Sequence, residues 1–186
     1  MKITTMLGII LAVSTAVVSM AQQKIAKPKV ESKEAKIARA LSAAPAEVAK
    51  SAKVVDLDEK GNEMVLREGT NGFTCFPYSG RPGVVGDVAY CANVAALQWE
   101  KDLAEHQPKP TNTEPGIEYM LAGAIDWSPT DPYATSGTPF KEPPHWMILW
   151  PFNPAATGLP TQPKQTGTWI MWAGTPYAHL MINQHP

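Results

Sequence analysis

The stretches Trp146-Met-Ile-Leu-Trp150, Thr168-Trp-Ile-Met-Trp172 and Tyr177-Ala-His-Leu-Met-Ile182 decide the fold. Their β-branched and aromatic content suits strands. The Pro- and Gly-rich segments between them, Pro151–Gly167 and Ala173–Pro176, read as connections. The last third of the chain is therefore expected to build sheet.

Two of these stretches, the first with the residue before it, carry a His-x-Met triplet, His145-Trp-Met147 and His179-Leu-Met181. Residues two apart in a strand point to the same face, so each triplet places an imidazole beside a thioether. If the two strands are neighbours in a suitable register, His145, Met147, His179 and Met181 form one set of soft ligands. Imidazole with thioether favours copper(I). The plainer alternative is that the same residues fill a core beside Trp, each His with an ordinary hydrogen-bond partner.

Working outward, Ile117–Ile125 has too little charge for a surface helix and reads as a buried strand. The 19 residues Asp126–Pro144 contain prolines at 129, 132, 139, 143 and 144 and are expected to be irregular. Loops of this length inside a compact domain are often functional. Asp126, Ser128, Thr130 and Asp131 bring oxygens close together, either to hold Ca²⁺ or orient a histidine base, or only to make turns before proline. Tyr119, Trp127 and Tyr133 are candidates to line a pocket beside His145 and His179. The expected ligand-binding set is therefore Tyr119, Asp126, Trp127, Asp131, Tyr133, His145 and His179.

Farther upstream, Ile37 and Leu41 have helical spacing after Ser32, and Pro45 suits the start of a second short helix over Pro45–Ala52. Lys53–Leu57 and Glu63–Arg67, separated by a segment holding Gly61 and Asn62, read as a hairpin. Phe73–Phe76 reads as a further extended piece. Asn93 is placed to cap a helix reaching about His106, with Pro108 and Pro110 stopping it. Gly80, Gly83 and Gly86 lack the spacing and flanking residues of a phosphate loop. The fold class expected is α+β, an antiparallel sheet with two or three helices gathered on one face, carrying one disulfide.

Targeting and redox state follow from the N-terminus and the cysteines. Lys2, the apolar run Met6–Val18 and Val18-Ser-Met-Ala21 have the order of a cleaved signal peptide. Thirteen residues are too few for a retained span of a core roughly 30 Å thick. The organisation expected is a signal peptide over 1–21, a tether over 22–31 and one domain over 32–186, in the periplasm or secreted, with no membrane span after cleavage. Removing 1–21 takes one Lys from a chain of 186 residues with 16 basic and 17 acidic side chains, leaving 165 residues and a net charge of −2. No dense basic cluster suggests a nucleic-acid partner. Cys75 and Cys91, an even count in an exported chain, are expected to pair, closing a 16-residue loop that contributes about 3 kcal/mol.

Taken together, Arg67-Glu-Gly-Thr-Asn-Gly-Phe-Thr-Cys-Phe-Pro77, Ile117-Glu-Tyr-Met-Leu-Ala-Gly123, Asp131-Pro-Tyr-Ala-Thr135 and Met171-Trp-Ala-Gly-Thr-Pro-Tyr-Ala-His-Leu-Met181 resemble a family of small exported bacterial proteins of uncharacterised function. The resemblance spans roughly Ala35 to Ile182, implies a single exported domain and transfers no catalytic residue. The functional expectation is a binding module for a small ligand or copper. One alternative is a hydrolase-like enzyme using His145 or His179, although G-x-S-x-G, H-E-x-x-H and S-x-x-K are absent. Another is an envelope interaction protein that uses Asp126–Pro144 as its contact surface.

Overall fold

The structure, a computed structural model, describes residues 31–80 and 82–184. The expected signal peptide and all of the expected tether except Glu31 lie outside the described residues. Among the described residues four helices, α1 (Lys33–Leu41), α2 (Ala46–Ala49), α3 (Val94–Ala104) and α4 (Pro154–Thr157), accompany ten strands. The strands are β1 (Lys53–Leu57), β2 (Glu63–Arg67), β3 (Phe73–Phe76), β4 (Tyr90–Asn93), β5 (Gly116–Met120), β6 (Ala124–Asp126), β7 (Phe140–Glu142), β8 (His145–Leu149), β9 (Gly167–Met171) and β10 (His179–Asn183).

Eight strands form one sheet in the order β2-β1-β3-β4-β5-β8-β10-β9, and β6 and β7 form a separate ribbon. The sheet is mixed, because β1 runs parallel to β3 while the other ladders are antiparallel. The fold is α+β in the broad sense, but two expected details are corrected: the sheet is mixed and not wholly antiparallel, and the helices do not gather on one face. Cys91 and Ala92 are successive residues of β4 and so point to opposite faces. Ala40, Ala43 and Ala44, in and just after α1, pack with Val54, Cys75 and Cys91 on one side. Trp99 and Leu103 of α3 pack with Ala92, Met147 and Met181 on the other. A central sheet buries both faces only if each has its own cover, and the two amphipathic helices divide that work.

Local signals explain most elements. Ser32 caps α1 by accepting from the Ala35 N–H at 3.2 Å. Asn93 caps α3 by accepting from Ala96 N–H at 2.9 Å, and the same Oδ1 accepts from Ile117 N–H at 3.0 Å, tying the start of α3 to β5. A Cβ on Gly116 would stand 2.6 Å from Ala96 Cα, so this glycine sets how closely α3 lies on the sheet. The disulfide Cys75–Cys91 joins directly opposed residues of β3 and β4.

The expected single strand Ile117–Ile125 is two strands in different sheets. Gly123 (φ 78°) turns the chain after Met120, and its N–H closes the turn on Met120 O at 2.9 Å. The expected irregular segment Asp126–Pro144 contains β7, which pairs with β6 through Ala124↔Glu142 and Asp126↔Phe140. Within it, residues 127–139 have no regular structure. The loop is anchored by Trp172, whose N–H reaches Pro129 O at 2.9 Å and whose Nε1–H reaches Ser128 O at 3.1 Å. Among the described residues no helix is long and apolar enough to cross a membrane.

Candidate functional site

The register between β8 and β10 orders the inner face of the sheet. Met147 lies opposite Met181, and His145 lies opposite Asn183. His179 lies one residue beyond the Leu180↔Ile148 rung on β10 and faces Met171 across the β9–β10 hairpin. On the other side of Met147, the ladder places Glu118 of β5. One continuous row therefore reads Glu118, Met147, Met181, Trp169, flanked by a row carrying His145 and one carrying His179 with Met171.

Beneath α3 these side chains enclose a narrow cavity of about 10 Å³, the room of one water molecule or one ion. His145, Met147, Met171, His179 and Met181 line it, with Trp99, Glu100, Asp126 and Trp172. Both histidines are buried, each 1 % exposed. The His179 ring stands edge-on beside the stacked pair Trp99 and Trp172, at centroid distances of 5.2 and 4.9 Å. Its Nδ1–H donates to Tyr177 O at 3.0 Å, and the Nδ1–H of His145 donates likewise to Pro143 O at 2.8 Å. A carbonyl only accepts, so each ring carries a hydrogen on Nδ1. A backbone carbonyl holds the ring in the same way in metal-binding histidines.

The four residues of the two triplets thus share one face and one cavity. They do not form a compact quartet. His145 and His179 stand four residues apart along the ladder, about 14 Å between their Cα atoms at ~3.4 Å per residue. Each ring is drawn toward the carbonyl two residues before it, and in antiparallel strands those carbonyls lie at opposite ends of the pair. The compact set is His179 with Met171, Met181 and Met147. The sequence reading did not include Met171. Its signal was the hairpin between Thr168–Trp172 and Tyr177–Ile182, whose antiparallel pairing sets Met171 across from His179.

The other expected ligand-binding residues fall in separate places. Asp126 joins the cavity. Tyr119 lies on the opposite face of the sheet, because it alternates with Glu118 and Met120 along β5. Trp127 is half-buried, outside the cavity lining, and binds Gly83 O through its N–H at 2.9 Å. Asp131 and Tyr133 line a groove on the outer side, beside His106 and Tyr177.

Besides Glu118 in the inner row, the carboxylates of Glu100, Asp126 and Glu142 are buried. Burial, and then the charge of Asp126, pushes the Glu142 carboxyl up to about 8, against a smaller downward effect of its hydrogen bond from Asn183 Nδ2 at 3.3 Å. Among the described residues no three His, Cys, Asp or Glu side chains are grouped closely enough to hold a metal ion. Thioethers are a different class of donor from these imidazole, thiolate and carboxylate groups.

Compared with known proteins, the chain matches no family model, no curated protein and no solved structure.

Proposed function

We propose that this protein is an exported binding module for a soft metal ion, copper(I), held by the imidazole of His179 and the thioethers of Met147, Met171 and Met181. One observation carries the reading: these four side chains come from three adjacent strands, β8, β10 and β9, and line the same ion-sized cavity. Soft thioethers with one imidazole select copper(I) over zinc, magnesium or calcium, which prefer thiolate, imidazole or oxygen ligands. Both cysteines are in a disulfide, so thiolate does not compete for the role. The carbonyl bond at Nδ1 and the stacked indoles beside the ring hold the imidazole in one orientation, which lowers the cost of ordering a ligand. The cavity volume argues against an organic ligand at the same place.

The test is competition for copper(I) against a chromophoric chelator in the absence of oxygen, on the purified protein. The expected result is one ion per chain, with sulfur and nitrogen neighbours in X-ray absorption. Met171→Leu with Met181→Leu, close in volume to the native side chains, should retain the fold and lower the affinity at least about tenfold. Equal affinity in the wild type and this double variant would remove the proposal.

A further inference from the structure

Helix α3 is closed by His106, a non-glycine residue in the left-handed region (φ 55°). Its N–H reaches Leu103 O at 3.1 Å, and Gln107 N–H reaches Asp102 O at 2.8 Å. This terminus lays the imidazole of His106 on the ring of Tyr133, with centroids 4.5 Å apart and planes 20° from parallel. Tyr133 in turn meets the edge of Tyr177 at 6.5 Å and 77°. The hydroxyl of Tyr177 donates to Gln107 O at 2.9 Å, which ties the end of α3 to the segment leading into β10. Between these walls runs an open groove of about 390 Å³, a size typical of small-molecule sites.

We propose that this groove binds a saccharide of one or two pyranose rings. The walls combine the exposed imidazole of His106, backed by Tyr133, with the exposed rings of Pro108 and Pro176, apolar surfaces that suit the C–H faces of a sugar. The polar groups are few and at the edge. Asp131 is exposed and accepts the Tyr133 N–H through Oδ1 at 2.9 Å, an Asx turn that fixes the carboxylate at the mouth of the groove. Gln107 and His106 are exposed beside it and supply an amide and an imidazole. A carboxylate, an amide and an imidazole can accept from and donate to adjacent hydroxyls. No Lys or Arg lines the groove among the described residues, which disfavours an anion.

The experiment is an NMR titration of the isotope-labelled protein with D-glucose, N-acetyl-D-glucosamine and maltose, with choline and inorganic phosphate as comparisons. The expected result is saturable shifts at the amides of Gln107, Asp131, Tyr133 and Tyr177 for at least one sugar. Asp131→Asn retains the turn and should weaken that binding about tenfold with an unchanged melting midpoint. Tyr133→Ala should abolish it. Absence of saturable shifts with all three sugars, saturation by choline or phosphate alone, or undiminished sugar binding in a normally folded Asp131→Asn protein would each overturn the proposal.

Discussion

Glu142 is 1 % exposed at the end of β7, with Asp126 across the ribbon and Asn183 as its donor. Its other oxygen, Oε1, has no hydrogen-bond partner among the described residues. With its carboxyl raised from 4.5 to about 8, it is largely protonated at neutral pH. Between these values the folded chain keeps a proton that the unfolded chain has released, so stability declines as pH rises through this interval and levels off above it. Glu142→Gln, which imitates the neutral acid, should flatten that decline and raise stability at pH 8 by a few kcal/mol, at about 1.4 kcal/mol per pH unit. Denaturant midpoints of both proteins at pH 5 and pH 8 check this; an unchanged slope in the variant would assign the dependence elsewhere. At this scale the sequence revealed His145, His179 and their methionines, because a two-residue offset in a strand is itself a statement about facing. Glu142 was not legible. It lies in a segment that reads as irregular, and the β6–β7 pairing together with Asn183 encloses it.

Among the elements, α3 does most to position the candidate site, since Trp99 contacts His179, Trp172 and Tyr177. Its N-terminus depends on Asn93, whose single oxygen serves Ala96 and Ile117. Asn93→Ala removes an N-cap and leaves a second backbone N–H, on β5, without its acceptor. The expected cost is about 2 kcal/mol, with Asn93→Asp recovering most of it, measured by urea unfolding. The far end is tied by Asp102, which accepts from Thr111 N–H at 2.6 Å and Thr111 Oγ1–H at 2.8 Å. The helix and its cap could be read from the sequence because Asn before a periodic apolar run is a local signal. The short strands β4, β6 and β7 could not, because three or four residues carry too little periodicity and their partners are distant in the chain.

For the whole molecule, the disulfide closes 16 residues between strands that already pair through four rungs. Replacing both cysteines, Cys75→Ala with Cys91→Ala, should lower unfolding stability by up to about 3 kcal/mol with the far-UV spectrum retained. A thiol assay on the unreduced wild type should find no free thiol. The sequence alone determined the strand-rich last third, the bridge between the two cysteines, the capped helices and the shared facing of each His-x-Met pair, because all of these arise from local propensity, pairing parity or alternation. The tertiary structure decided which strands are neighbours and in what register. That choice set Met171 across from His179, held the two imidazoles at opposite ends of one cavity, and turned Tyr119 to the other face. It also carried Asp131 and Tyr133 to an outer groove. Register is a contest among distant segments for the same buried surface, and its outcome depends on the packing of both faces at once.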